Sequence, residues 1–204
     1  MILLFSRSPD ILRRMRLFLA TELSPDVMAA AGAAADKLQR DIARAAPRAT
    51  LRWIPVENLH ITLWFFGEVD DRPFDSLRGV LDGVDVAAFD LRVGGAGAFP
   101  LAGSPRVIWF GLPEGRDGLL AVYDRLRARL TPLGFEPEKR PYSPHLTVAR
   151  VKDVRSQDAS NIRSIVAKSN VAAGSCRVDA VTLFRSRTSP HGAQYERLLR
   201  VPLG

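Results

Sequence analysis

The sequence predicts an α+β fold built from largely antiparallel sheets. Strands and helices alternate irregularly along the 204 residues, and several predicted strands follow one another directly. Neighbouring strands without an intervening helix favour antiparallel pairing over a doubly wound parallel sheet. In addition, no glycine-rich dinucleotide or P-loop signature follows a predicted strand, so no phosphate-cradling loop of that kind is expected.

The first strand is predicted at 15–23, where the segment MRLFLATEL is rich in strand formers. A helix follows, because Ser24 is a favourable N-cap and Pro25 suits the first helical position. The alanine-rich stretch continues this helix to Ala46, and Pro47 ends it.

Further along the chain, the clearest helix is predicted at 119–133, where apolar residues recur at helical spacing and Gly134 follows the end. Two shorter helices are predicted at 71–83 and 159–168, and the glycine-rich segment 94–105 is predicted to be a loop. The remaining strands are predicted at 51–54, 59–69, 89–93, 106–112, 145–151, 177–187 and 195–201.

The composition is that of a globular protein, with 47% hydrophobic and 25% charged residues. These shares exclude a disordered chain, and no apolar run approaches the ~20 residues that a membrane span requires. The single cysteine, Cys176, excludes an internal disulfide and a thiolate-rich metal cluster. A reducing cytoplasm fits that count, and we expect a cytoplasmic protein with no membrane partner.

The net charge is positive, since 29 Lys and Arg residues stand against 22 Asp and Glu, giving +7. An excess of this size favours anionic partners such as nucleic acid, phosphorylated metabolites or an anionic membrane surface. It also fits a protein from an arginine-rich proteome. The charge alone therefore does not decide the partner.

Residues 1–14 are predicted to be a peripheral extension, because their apolar run is too short for a signal-peptide core and no cleavage site follows. Met15 opens the first clear strand and could itself be the start residue. The remainder, 15–204, is predicted to form a single domain.

Two of the three histidines occupy the same local pattern, His60-Ile-Thr62-Leu and His145-Leu-Thr147-Val. Side chains alternate faces along a strand, so each histidine and its threonine are expected to lie side by side on one face. If the two halves are repeats about a local two-fold axis, both polar faces can meet in one cleft. The alternative is a pair of unrelated, half-buried histidines.

Two imidazoles and two hydroxyls without carboxylates indicate proton transfer at a phosphorus centre. Histidine is the side chain whose ordinary pKa lies near neutrality, so one ring can accept a proton while the other donates one. The threonine hydroxyls can donate hydrogen bonds to non-bridging phosphate oxygens. A metal site is the competing interpretation, but neither motif contains a nearby Asp, Glu or Cys ligand, so no metal and no cofactor is expected.

These motifs resemble those of the two-histidine (2H) phosphoesterase superfamily, and within it the RNA 2′,3′-cyclic phosphodiesterases, also called 2′-5′ RNA ligases. The resemblance covers 16–203. The segments that carry it, in order, are MRLFLATEL, RWIPVENLHITLWFFGEV, GAGAFP with PRVIWFGL, LGFEPEKRPYSPHLTVARV and VTLFRSRTSPHGAQYERLLRVPL.

The resemblance implies two pseudo-symmetric lobes, with outer helices and one histidine–threonine strand from each lobe lining a central basic cleft. It implies hydrolysis of a terminal 2′,3′-cyclic phosphate on RNA to a 2′-phosphomonoester. By the family pattern, His60 would be the proton donor and His145 the proton acceptor. Thr62 and Thr147 would bind the phosphate. The residues alone do not decide which histidine is the acid.

Arg150 matches the arginine that the family places after the second motif, and we expect it to contact phosphate or RNA. Strand alternation points it away from His145 unless the strand bulges. Phe65 has the equivalent offset in the first motif and is predicted to pack in the core, like Trp109. Tyr142 and Arg140 could line the site or form a surface turn.

Two other interpretations stand beside RNA cyclic-phosphate hydrolysis. The same histidines could act on another cyclic or 2′-5′-linked nucleotide, including reverse ligation, or the chain could be a non-catalytic RNA-binding module. The expected partner is an RNA end or a small cyclic nucleotide, with no obligate protein partner and a monomeric chain. His191 is predicted to be a loop histidine without a catalytic part, and Cys176 a buried or incidental thiol.

Overall fold

The computed structural model describes residues 15–69, 74–81, 84–189 and 192–204. Its strands are β1 Met15–Thr21, β2 Thr50–Trp53, β3 Ile61–Val69, β4 Phe89–Phe99, β5 Val107–Glu114, β6 Leu146–Asp153, β7 Ala172–Val178, β8 Ala180–Ser189 and β9 Gly192–Pro202. Its α-helices are α1 Pro25–Ala45, α2 Phe74–Leu81, α3 Arg116–Leu130 and α4 Ser156–Lys168. The predicted extension at 1–14 and the predicted loop histidine, His191, lie outside the described residues.

The strands form two sheets, in which all neighbouring strands are antiparallel. One sheet has the order β3-β1-β8-β9, and the other has the order β2-β6-β5-β4-β7. The prediction of an α+β fold with two lobes and largely antiparallel sheets is confirmed.

Helix α1 begins where the sequence predicts it. The Ser24 side chain accepts a hydrogen bond from the Val27 backbone N–H at 3.4 Å, and Pro25 occupies the first turn. The helix buries one face, including Leu38 and Ile42, against β7 and α4. It therefore covers the five-stranded sheet.

Helix α3 packs on the strands of both sheets, contacting β3 and β5. Its buried residues recur at helical spacing: Leu119, Val122, Leu126 and Leu130. A 3₁₀ turn at Thr131–Leu133 continues it, and Gly134 closes the turn with φ +84°, a left-handed conformation that glycine adopts without strain. The predicted helix at 119–133 is thus confirmed, with an earlier start.

One continuous hydrophobic core joins the two sheets. It contains Leu19 and Ile61 from the four-stranded sheet and Phe110 and Leu146 from the five-stranded sheet, each of them fully buried. A second, smaller cluster on the other face of the four-stranded sheet contains Phe18, Ala20 and Phe184, with Tyr195 packed against it.

Several predicted boundaries are wrong. Only the second half of the predicted loop at 94–105 is a loop, because β4 continues through the glycines of the first half to Phe99. At Gly97 a Cβ would overlap the indole of Trp109, so glycine lets that ring lie across the strand. The predicted strand at 177–187 is two strands, β7 and β8, separated at Asp179.

Of the two shorter predicted helices, at 71–83 and 159–168, only the second shows a different boundary within the described residues. Of the first, the structure describes α2 and leaves 71–73 and 82–83 outside the described residues. The second begins three residues earlier, at Ser156. Among the described residues, no helix combines the length and the apolar character needed to cross a membrane.

Candidate active site

The two histidine motifs occupy equivalent places in two strand–helix–strand units. In the first unit β1 and α1 precede β3, which pairs with β1; in the second β5 and α3 precede β6, which pairs with β5. His60 and His145 are each the residue immediately before the motif strand, rather than within it as predicted. The sequence repeat is therefore a structural repeat.

Each imidazole is held by the same backbone contact. His60 Nδ1 lies 2.7 Å from the carbonyl oxygen of Asn58, and His145 Nδ1 lies 2.7 Å from the carbonyl oxygen of Ser143. A carbonyl oxygen can only accept, so Nδ1 carries the proton and donates in both rings. In the neutral rings Nε2 is left as the unprotonated nitrogen, ready to take a proton.

Aromatic rings enclose both imidazoles. The His60 ring lies 4.9 Å from the Phe18 ring and 5.2 Å from Tyr195, which meets it edge-on at 87°. The His145 ring is met edge-on by Phe99 at 5.1 Å. These neighbours restrict the orientation of each ring and remove water from it.

The surroundings of the imidazoles change their protonation. Burial lowers the pKa of both His60 and His145 from the ordinary value, and the positive charge of Arg150 lowers the pKa of both further. The hydrogen bonds to the carbonyls act in the opposite direction. Because one guanidinium acts on both histidines, Arg150 lies within electrostatic reach of both motifs.

Both motif strands bulge at the same position. The residues on either side of Leu63 face consecutive residues of β1, and those on either side of Val148 face consecutive residues of β5. Leu63 and Val148 are therefore the extra residues of two β-bulges, each the third residue after its histidine. A bulge reverses the alternation of side chains beyond it.

This bulge brings Arg150 to the same face as Thr147, which was the condition for Arg150 to reach the site. Phe65 at the equivalent position in β3 undergoes the same reversal. Its side chain is 51% exposed and lines the cleft, so the prediction that Phe65 packs in the core is wrong. The physical reason is the bulge at Leu63, which strict alternation does not include.

A cleft of about 470 Å³ lies between the two motifs. It brings together most of the predicted site residues: Thr62, Thr147, His145, Arg150, Tyr142 and Arg140. His60 is not among the residues that line this volume and is packed in the aromatic cluster beside Thr62. The two histidine motifs are thus neighbours, and His60 is more enclosed than His145.

Tyr142 links the two motifs directly. Its hydroxyl, in the segment before β6, donates a hydrogen bond of 2.9 Å to the backbone carbonyl of Thr62 in β3. Its ring stacks on Tyr123 with centroids 4.3 Å apart. Burial raises the pKa of the Tyr142 hydroxyl, so this group remains a donor at all working pH values. Arg140 lines the same cleft and is exposed.

Loss of this link is expected to destabilise the fold modestly. Tyr142→Phe keeps the stacked ring and removes the donor, which should lower the free energy of unfolding by about 1 kcal/mol. Tyr123→Phe is the matched control, because no hydrogen bond of the Tyr123 hydroxyl is found within the described part of the chain. Urea denaturation of both variants measures the difference, and equal losses would contradict the role of the Tyr142 hydroxyl.

Sequence reasoning missed the residues that surround the imidazoles. Tyr195 and Phe99 come from strands far from the motifs, and no local pattern in the sequence connects them to a histidine. Trp109, predicted to lie in the core, is partly buried with its ring 6.4 Å from that of His145. Cys176 is buried, and the described residues contain no group of three His, Cys, Asp or Glu side chains placed to hold a metal ion.

Two repeated strand–helix–strand units, each with a histidine immediately before its motif strand and a threonine that lines the shared cleft, define a two-histidine phosphoesterase. The family model for the 2′-5′ RNA ligase superfamily matches residues 30–190. The chain belongs to this superfamily, and the resemblance seen in the sequence is confirmed.

Named relatives and solved structures agree with this assignment. The RNA 2′,3′-cyclic phosphodiesterase of Methanothermobacter thermautotrophicus is 34% identical over 187 residues, which span 89% of this chain and 95% of the relative. The enzyme of the same name from Aeropyrum pernix is 33% identical over 151 residues, 74% of this chain and 85% of the relative.

Among solved structures, TT0787 of Thermus thermophilus superposes with a TM-score of 0.71 at 26% identity, covering 93% of this chain and 98% of that one. The apo form of E. coli LigT has a TM-score of 0.73 at 24% identity, again covering 93% and 98%, and shows the shared fold.

Proposed function

We propose that the protein hydrolyses the terminal 2′,3′-cyclic phosphate of RNA to a 2′-phosphomonoester, by acid/base catalysis with two histidines and without a metal ion. The observation that carries this proposal is the matched pair of Nδ1 contacts, which leave the Nε2 atoms of His60 and His145 for proton transfer. The relatives named above, which carry the name of this activity, support the choice of substrate.

In the proposed reaction His145 is the base and His60 is the acid, as the family pattern implies. Neutral His145 takes a proton from water on Nε2 while the water oxygen forms a bond to phosphorus. The bond between phosphorus and the 3′ oxygen breaks, and protonated His60 gives its Nε2 proton to that oxygen. The phosphate stays on the 2′ oxygen, and proton exchange with solvent restores both histidines.

Three further side chains stabilise the developing charge in this proposal. The hydroxyls of Thr62 and Thr147 donate to the non-bridging oxygens, and the Arg150 guanidinium neutralises their charge. All three line the cleft. Enclosure of the site removes competing water and strengthens each of these interactions.

The pH dependence follows from the lowered pKa values of the two histidines. The base must be neutral and the acid must be protonated, so kcat/KM is expected to be bell-shaped. Because burial lowers the pKa of both rings, both limbs lie at lower pH than those of two exposed imidazoles.

Metal-free hydrolysis is tested with an RNA oligonucleotide that ends in a 2′,3′-cyclic phosphate. We expect turnover to a 2′-phosphomonoester at the same rate with and without a chelator such as EDTA. The products are separated by chromatography against 2′- and 3′-phosphate standards. A rate that falls on chelation would overturn the metal-free mechanism, and a 3′-phosphate product would overturn the assigned leaving group.

A second candidate is 2′-5′ ligation, the reverse of 2′-5′ linkage cleavage, which joins the cyclic-phosphate end to another RNA end through a 2′-5′ linkage. The description of the matched family, the 2′-5′ RNA ligase superfamily, favours it. The same two proton transfers serve this reaction in the same direction, because the 5′-hydroxyl replaces water as the nucleophile and the bond between phosphorus and the 3′ oxygen again breaks. Incubation of the cyclic-phosphate RNA with a 5′-hydroxyl RNA separates the two, because ligation gives a longer product.

The proposal also includes the setting in which the protein acts. We propose a cytoplasmic monomer in which 15–204 form one unit, since the described parts of both sheets share one core. The substrate is an RNA end or a small cyclic nucleotide, and no protein partner is required.

A further inference from the structure

Two arginines face each other directly across adjacent strands at the edge of the cleft. Arg52 of β2 is the register partner of Arg150 of β6. Register partners in an antiparallel pair lie on the same face with Cα atoms about 5 Å apart. Both side chains are exposed, whereas the neighbours of Arg150 in β6, Ala149 and Val151, are buried and those of Arg52 in β2 are half-buried. The two guanidinium groups therefore project from the same side of the sheet.

This pairing differs from three other register pairs of the two sheets, in which an arginine faces a carboxylate. Arg92 faces Glu114, Arg177 faces Asp90 and Arg185 faces Glu196, each with an ion pair between the side chains. Like charges placed directly opposite each other destabilise a sheet. Within the described residues neither Arg52 nor Arg150 has a carboxylate partner. The positive charge of the two arginines is thus concentrated beside the cleft without an ion-pair partner.

The Arg52 side chain also reaches the other sheet. Its Nη2 lies 3.1 Å from the position that a Cβ on Gly192 would occupy, at the start of β9. The charges of Arg150 and Arg52 oppose the effect of burial, which raises the pKa of the Tyr195 hydroxyl. Tyr195 is the ring that stands edge-on to His60. Arg52 therefore lies on the His60 side of the site.

We propose that Arg52 forms, next to Arg150, a second anion subsite that binds the phosphodiester preceding the reacting end of an RNA chain. This inference rests on the proposed function and names its substrate class: a chain of at least two nucleotides, rather than a mononucleotide.

The chemistry of the two groups fits this ligand. A guanidinium binds two oxygens of a phosphodiester with parallel hydrogen bonds, and its charge persists at every working pH. A phosphodiester beside Arg52 relieves the repulsion between the two arginines. A nucleoside 2′,3′-cyclic phosphate has a single phosphorus, which occupies the reacting position, and so leaves this subsite empty.

The test compares two substrates that differ by that phosphodiester. The first is a nucleoside 2′,3′-cyclic phosphate and the second is a dinucleotide ending in a 2′,3′-cyclic phosphate. In Arg52→Ala we expect kcat/KM for the dinucleotide to fall about tenfold or more, the loss of a charge-assisted hydrogen bond, with the mononucleotide unchanged. The slope of the logarithm of the dinucleotide binding constant against the logarithm of the salt concentration should become shallower by about one unit.

Controls separate binding from folding. Arg125→Ala removes an exposed arginine on α3 and should leave both substrates unchanged. Arg52→Lys keeps the charge and should recover part of the dinucleotide preference, while thermal denaturation verifies that each variant folds. An equal loss for both substrates, or none for the dinucleotide, would overturn the subsite.

Failure of the proposed function has a different signature. If the wild-type protein turns over neither substrate, the hydrolase proposal fails. The subsite is then decided by titration with a dinucleotide carrying a terminal 2′-phosphate and with a nucleoside 2′-phosphate. A loss of affinity in Arg52→Ala that is confined to the dinucleotide supports the subsite, and an equal change in affinity for both ligands contradicts it.

Discussion

Alanine substitution of either motif histidine is expected to reduce kcat/KM for a 2′,3′-cyclic phosphate end by ~10²–10⁴. In the proposed mechanism His145→Ala removes the group that takes the proton from water, and His60→Ala removes the group that protonates the leaving oxygen. The losses should fall on kcat, because the proposed phosphate binding by Thr62 and Thr147 remains. Steady-state kinetics on the same oligonucleotide measure both effects.

The paired roles of the histidines give this prediction two further outcomes. The double variant should be little worse than either single variant, since the rings act as a unit. Each single variant should also lose one limb of the pH profile. His145→Ala, which removes the proposed base, should lose the acid limb, and His60→Ala, which removes the proposed acid, should lose the alkaline limb. His191→Ala is the matched control, because its sequence setting predicts no catalytic part. Either single variant with full activity would remove the two-histidine mechanism.

Arg150→Ala is expected to lower kcat/KM on the order of 10²-fold. This is the usual effect of removing one hydrogen-bond donor that stabilises the negative charge developing in the transition state. It should also move the pH profile. The positive charge of Arg150 lowers the pKa of both His60 and His145, so its removal raises both values. Both limbs of the bell should therefore shift to higher pH. Measurement of kcat/KM across the pH range tests loss and shift together.

Arg150→Lys separates the two effects of this side chain. Lysine keeps the charge, so the limbs should stay near their wild-type positions, but it lacks the bidentate geometry and should remain slower than wild type. An Arg150→Ala profile that keeps its wild-type limbs would show that the guanidinium does not act on the two rings. The role of Arg150 would then be confined to phosphate contact.

Local chemistry in the sequence predicted much of the fold. The cap at Ser24 and the glycine after α3 determine helix ends through contacts within a few residues, and both are visible in the printed sequence. The paired motifs likewise identified the class of protein, because one histidine–threonine pattern recurs in a chain with few histidines.

Features that depend on distant partners were not predictable. The indole of Trp109 in the neighbouring strand occupies the space where a side chain on Gly97 would lie, so the need for glycine within β4 comes from a distant residue. The bulges at Leu63 and Val148 depend on the register with β1 and β5, which no single segment encodes. Phe65 was misplaced for this reason. For Arg150 a bulge was the stated condition for reaching the cleft, and the structure contains it.

The matched bulges also give the cleft a direction. Two identical half-sites related by a two-fold axis would accept a phosphate equally well in either of two opposite orientations. Here the equivalent positions carry a phenyl ring at 65 and a guanidinium at 150. In the proposed complex, an RNA end with its anionic groups toward the cation cannot be turned around without placing charge against hydrocarbon. This difference between the two repeated strands would fix the strand polarity of the ligand.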